Sequence, residues 1–150
     1  MAVAGIVAEY NPFHTGHAYQ LTQTRRMVGW ESAVVAVMSG NWVQQADCAV
    51  ADKWVRTRLA LMSGVDLVLE LPTVWATASA EAFARGAVAI LEGCGVVDVL
   101  SFGSECGQIP PLIQNAECLD SPAYRWELAR CLDQLYFGGG APAFSPARAS

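Results

Sequence analysis

Four short, mainly apolar runs punctuate the chain: Val3–Ala8 and residues 33–38 are continuous, and residues 65–71 and 96–102 are interrupted by single polar residues. Each is too compact for a helix and reads as a buried strand. Between them lie longer stretches with helical spacing: 16–28, closing near Gly29; 49–62; and 78–91, ended by Gly93-Cys94-Gly95. In 49–62, Val50, Trp54 and Leu61 are expected to supply an apolar side, and Lys53, Arg56 and Arg58 a basic one. Strands that alternate with helices predict parallel pairing through right-handed crossovers. The expected class is therefore α/β, a Rossmann-like parallel sheet with helices on both faces. Helical stretches at 109–119 and 123–136 follow, the second with Trp126 and Leu132 among its apolar positions. Gly138-Gly139-Gly140 and the Pro/Ala/Ser-rich end read as a flexible tail. Three parts result: a core over 1–107, a helical extension over 108–137 and a tail over 138–150.

The break after the first strand concentrates the chemistry. Asn11-Pro12 signals a turn, and His14-Thr15-Gly16-His17 leads into the first helix. A strand, a tight loop and a helix in that order point backbone N–H groups and the positive helix end at a phosphate. The chain has only 2 histidines, and both lie in this loop. Three residues apart, they sit on one side of a first helical turn. Gly16 between them leaves room for an adenine or ribose to approach the backbone. Imidazoles donate hydrogen bonds to phosphate oxygens and stabilise the charge of a departing pyrophosphate. Two other uses fit the same residues: capping or shielding the helix, and metal ligation, although no third ligand stands nearby. Asn41 and Gln44, after the second strand, offer amides at the carboxyl edge where such sheets bind ligands. Lys53 offers a compact charge for a phosphate or carboxylate. Asp66 and Glu70 flank the third strand and suit capping or pairing.

Composition narrows the class. A hydrophobic share of 53% against 15% charged residues suits a well-buried core. The 5 cysteines form no CxxC pair and are expected to be reduced, mostly buried small hydrophobes. No apolar run reaches the length of a membrane span, and the start lacks a secretory pattern, so a cytoplasmic protein without membrane contact is expected. A net charge of −5 with 9 Lys and Arg counts against strong binding of RNA by these residues alone.

His14-Thr15-Gly16-His17 resembles the HIGH-type signature of the nucleotidyltransferase superfamily, of HUP-type fold. Further stretches sharpen the resemblance: Gly5 to His14, Val37-Met38-Ser39-Gly40-Asn41, Asp52-Lys53-Trp54, Gly64 to Pro72, and Phe102-Gly103-Ser104-Glu105. Together, in this order, they resemble the bacterial tRNA(Met) cytidine acetate ligase family, from about Val3 to Glu105. The resemblance implies that ATP and acetate form an acetyl-adenylate. The acetyl group then passes to the wobble cytidine of elongator tRNA(Met), giving N4-acetylcytidine. It implies catalytic roles for His14, His17 and Lys53. It also implies ATP contacts from Val7, Ala8, Glu9, Tyr10, Asn11, Pro12, Phe13, His14, Thr15, Gly16, His17, Ala18, Tyr19, Gln20 and Gly103. No protein metal site is expected, and a magnesium ion remains open because ATP chemistry often uses one.

The resemblance is not uniform. The family's Gln-Arg-Gly-Glu-Pro run is matched by Gln44-Gln45-Ala46-Asp47-Cys48. Arginine to glutamine removes a fixed charge and a bidentate donor fork. The family's further ATP-contacting asparagine and arginine lie past the stretch that Gly138 to Arg148 resembles. Binding of tRNA is accordingly expected from a region outside this chain. Two other functions remain open on the residues alone: a small-molecule adenylyltransferase, and a non-catalytic nucleotide-binding remnant.

Overall fold

β1 (Val3–Ala8), β2 (Ala33–Ser39), β3 (Leu67–Leu71) and β4 (Val99–Ser101) form one sheet in the order β3-β2-β1-β4, parallel throughout. The structure, a computed structural model, describes residues 1–137; the expected tail lies outside the described residues. The helices are α1 (Thr15–Val28), α2 (Lys53–Met62), α3 (Thr73–Ala76), α4 (Ala80–Gly93), α5 (Ile109–Asp120) and α6 (Pro122–Phe137), with a short 3-10 turn at Gln44–Ala46.

Side chains on β2 alternate between two cores, as strand geometry requires. Val34, Ala36 and Met38 join Ile6, Leu21 and Ala60, which places α1 and α2 on one face. Val35 and Val37 join Leu71, Ala76, Phe83, Ala87 and Leu91, which places α3 and α4 on the other. Burial of both faces is why the central strands are continuous apolar runs. Gly5 permits a close approach of α4 to β1, since a Cβ there would meet Leu91 Cδ1 at 2.8 Å. The expected α/β class, with helices on both faces, is what the chain adopts.

Several boundaries differ from expectation for identifiable reasons. Val65 still closes the turn after α2 through its N–H to the Ala60 carbonyl. Asp66 then donates its N–H to Val34 and accepts from the Val34 N–H at 2.7 Å, so the ladder begins at Leu67. Arg25 pairs with Asp66 at 2.8 Å and reaches the Gly64 carbonyl, locking the amino ends of β2 and β3. β4 is short because Asp98 meets the start of β1 first, accepting from the Val3 N–H at 2.8 Å. The expected helix over 78–91 is α4, begun two residues later because Ser79 caps it by accepting from the Ala82 N–H. The short α3, opened by Pro72, precedes it where no helix was expected. Residues 49–51 lie outside α2, whose N-cap is Asp52.

α2 also faces the other way from its expected amphipathic reading. Trp54 and Val50 are 72% and 69% exposed, whereas Arg56 is fully buried. The cysteines are unpaired, and against the expectation of mostly buried residues none is buried: Cys48, Cys106 and Cys118 are exposed, and Cys94 and Cys131 are half-buried. They occupy loops and outer helix faces, where their apolar character does not decide packing.

Two compact units divide the chain, Met1–Gly103 and one beginning at Ser104. In the second, α5 packs on α6. Among the described residues no helix is long and apolar enough to cross a membrane.

Candidate active site

Parallel strands bring all their carboxyl ends to one edge. Ala8 lies beside Met38, Met38 beside Glu70, and Ile6 beside Ser101. The chain leaves β1 toward β2 and β3 on one side and returns to β4 on the other. The switch point therefore falls between β1 and β4, the place where open α/β sheets take ligands. The histidine loop follows β1, and Gly103 follows β4, so the two predicted contact segments emerge from neighbouring strands. A Cβ at Gly103 would meet nothing within 4 Å.

The histidines form a reciprocal cap. His14, extended at φ −140°, is the N-cap of α1, and its Nδ1 accepts from the Gly16 N–H at 3.1 Å. His17, at the third helical position, returns the bond: its Nδ1 accepts from the His14 N–H at 3.2 Å. Two otherwise orphaned donors are satisfied, as in a Ser–Glu capping box. Gly16 leaves room for this cap, because a Cβ there would lie 2.9 Å from His14 Cε1. Capping was one of the alternatives the sequence left open, and it has a chemical consequence. An accepting Nδ1 carries no proton, so each neutral ring bears its proton on Nε2. The rings stack with centroids 3.7 Å apart and planes 27° from parallel. They offer two Nε2–H donors from an exposed (His14) and a half-buried (His17) position.

Tyr10 holds this pair from below. It is buried and left-handed at φ 47°, and its ring meets His17 edge-on at 4.9 Å and Phe13 at 5.0 Å. Burial pushes its phenol up to about 12, so it stays neutral. Burial first, and the neighbouring His14 second, pull the His17 imidazole below its ordinary value of 6.5. The unfolded chain then binds that proton more readily. Stability is full above about pH 6.5 and falls as pH drops toward the folded-state value. His17→Asn keeps an acceptor for the His14 N–H and is expected to flatten this acid limb. Urea midpoints compared across that pH range check it, and equal slopes in both proteins contradict it.

The other predicted contact residues divide by role. Val7 and Ala8 pack half-buried on opposite cores. Pro12, Thr15, Ala18 and Tyr19 are exposed around the loop. The side chains of Glu9, Asn11 and Gln20 already hold protein: Glu9 Oε1 accepts from the Gln44 N–H and Asn11 Oδ1 from the Val50 N–H, each at 2.8 Å. Gln20 donates to the Ser101 carbonyl at 3.2 Å, tying α1 to β4.

The family model described as HIGH Nucleotidyl Transferase matches residues 1–135. The chain belongs to this family. Among similar proteins is the tRNA(Met) cytidine acetate ligase of Clostridium tetani, 44% identical over 136 residues, which cover 89% of this chain and 34% of that one. The protein of the same name from Syntrophomonas wolfei is 50% identical over 136 residues, covering 89% and 32%. The solved structure of apo Thermotoga maritima TmcAL superposes with a TM-score of 0.80 at 44% identity, covering 91% of this chain and 32% of that one. A second form of it, with the same TM-score, is described as bound with alpha-thio ATP. The chain thus spans about a third of the length of these relatives.

Within this HIGH nucleotidyltransferase fold, two groups stand apart from expectation. Lys53 pairs with Glu70 at 2.6 Å, on the β2–β3 side of the edge, while the imidazoles follow β1. Arg56 is the residue whose place the sequence concealed. Its Nε donates to the Ala51 carbonyl at 3.0 Å, Nη1 to Glu9 at 2.6 Å, and Nη2 to Ser39 at 3.1 Å and to Gly40. One planar fork thereby joins the chain leaving β1 to the chain leaving β2. Burial pulls the guanidinium below its ordinary value, and Glu9, Asp52 and Glu70 push it back. Ala60, one helical turn further on, is buried on the same helix.

The altered 44–48 loop carries its own mark. Gln45 and Ala46 are left-handed, at φ 64° and 59°. Ala46 stands where the family run has glycine, the residue that takes this conformation without a Cβ penalty. Ala46→Gly is expected to stabilise the protein by about 0.5–1 kcal/mol, the left-handed penalty less glycine's greater unfolded-state entropy. A raised urea midpoint with unchanged slope checks this; a lowered midpoint contradicts it.

Proposed function

We propose that this chain is the ATP-binding, acid-activating part of a tRNA(Met) cytidine acetate ligase. Residues 1–107 act as the core and 108–137 as a helical extension. A carboxylate oxygen of acetate attacks the α-phosphorus of ATP, and pyrophosphate leaves with the bonding pair. The exocyclic amine of the wobble cytidine in elongator tRNA(Met) then attacks the acetyl carbon. The bond to the AMP oxygen breaks, AMP departs, and one proton is released. No side-chain nucleophile is required, so the protein's work is positioning and charge stabilisation.

One observation carries this reading: a reciprocal cap occupies Nδ1 of both imidazoles and leaves their Nε2–H groups as donors, on the loop beside the β1–β4 switch point. Two Nε2–H donors there suit phosphate oxygens whose charge grows as pyrophosphate departs. The Thermotoga maritima relative described as bound with alpha-thio ATP supports ATP as the ligand. Open space at Gly103 leaves the neighbouring strand end free for the adenosine. A magnesium ion would be held by phosphate oxygens and water, since among the described residues no three His, Cys, Asp or Glu gather to cage one. A net charge of −5 opposes a strong grip on the tRNA backbone by these residues alone.

Exchange of labelled pyrophosphate into ATP tests the first step. The expected result is exchange that depends on acetate. Exchange only with another small acid would move the protein to small-molecule adenylylation, and ATP binding without exchange for any acid would make it a nucleotide-binding remnant.

A further inference from the structure

A second opening lies along the same edge, on the β2 side of the histidine loop. Asn41, Trp42, Cys48, Ala49, Ala51 and Asp52 line a cavity of about 340 Å³. Its rim is built rather than loose. Trp42 and Cys48 form an antiparallel bridge, and Val43 donates to the Asp47 carbonyl and Ala49 to that of Asn41, each at 3.0 Å. The same segment is fastened to the histidine loop through Gln44 on Glu9 and Val50 on Asn11. The cavity therefore sits across one loop from the two imidazoles.

We propose that this cavity receives the pyrimidine base that accepts the acyl group, with its exocyclic amine turned to Asp52. The inference rests on the ligase reading above and names the residues that would recognise its acceptor. Trp42, 46% exposed, presents an indole face, and Cys48, Ala49 and Ala51 are small enough to leave a slot for a flat ring beside it. A base lifted from its strand is held in this way, stacked on an aromatic plane and read along its pairing edge. The polar groups are complementary to that edge. Asn41 Oδ1 is engaged by the Lys53 N–H at 2.8 Å, which leaves its Nδ2 as a donor. Asp52 Oδ1 is engaged by the N–H groups of Trp54 and Val55, which leaves Oδ2 as an acceptor. Cytosine supplies an amine for the carboxylate and, beside it, a ring nitrogen for the amide donor. Uracil reverses both positions and would turn a carbonyl toward the charge of Asp52, so the site discriminates by unpaired polar groups rather than by size.

The test is a titration of the indole-labelled chain with cytidine and, separately, with uridine. The Trp42 Nε1–H signal is identified by its loss in Trp42→Phe. Cytidine is expected to shift that signal saturably, and uridine to bind about tenfold more weakly, the discrimination one good polar pair provides. Asp52→Asn retains a good helix cap while removing the charge. In this variant cytidine should still shift Trp42, with its advantage over uridine lost. Absence of a saturable Trp42 shift, equal binding of the two nucleosides, or an undiminished preference in Asp52→Asn would each overturn the proposal. ATP titrated into the same sample and followed through the ring signals of His14 and His17 separates the two readings. Binding of ATP without cytidine sinks the cavity assignment alone, and binding of cytidine without ATP sinks the ATP reading alone.

Discussion

Arg56→Met is expected to lower the unfolding free energy by about 3–5 kcal/mol. The size of the effect comes from the carbonyls left behind. Glu9, Ser39, Gly40 and Ala51 each point an oxygen at the guanidinium, and Arg56 is fully buried among them. Methionine fills much of the volume but donates nothing, so these oxygens lose charged partners without gaining water. Arg56→Lys keeps the charge and still loses the fork, since one ammonium cannot span both strand ends; a loss of about 2 kcal/mol or more is expected. Against a typical total of about 5–15 kcal/mol, the methionine variant would be visibly fragile in urea. A loss below about 1 kcal/mol would mean that the strand ends hold their positions by other means.

His14→Asn with His17→Asn is the second large effect, and it falls on chemistry rather than stability. Asparagine places an oxygen where each Nδ1 accepts its bond, so the cap survives. What disappears is the pair of Nε2–H donors. Loss of one oriented donor to a developing charge typically costs about 10²–10³ in rate, and acetate-dependent pyrophosphate exchange should fall at least that far. Urea midpoints above pH 7 should change little, within about 1 kcal/mol. A variant that folds normally and exchanges pyrophosphate at the wild-type rate would remove the histidines from the reaction.

How much of this was legible in the sequence depended on what each residue packs against. β1 and β2 were legible because they are covered on both faces, so every position is apolar and the run has clear ends. The histidine loop was legible because a strand, a turn and a helix start leave little freedom for what lies between. α2 was misread for the opposite reason. Its apolar residues Trp54, Leu61 and Met62 face outward, while a buried arginine faces inward. Hydrophobic periodicity measures transfer from water, and it has no means of registering four carbonyls that wait for one planar cation. The double service of the histidines was likewise hidden. Spacing placed both rings on the first turn, but only the bonds to the Gly16 and His14 N–H groups assign their protons. Glu9 and Asn11 sat inside the recognisable motif, and their side chains were found bracing the next loop instead of facing outward.

A crystal structure of this chain with a non-hydrolysable ATP analogue tests the central claim most directly. The triphosphate should lie within hydrogen-bond distance of Nε2 of both His14 and His17, with the adenosine over the backbone at Gly103. An analogue bound on the β2 side of the edge, in the cavity beside Trp42 and Asp52, or one that leaves both imidazoles untouched, would contradict it.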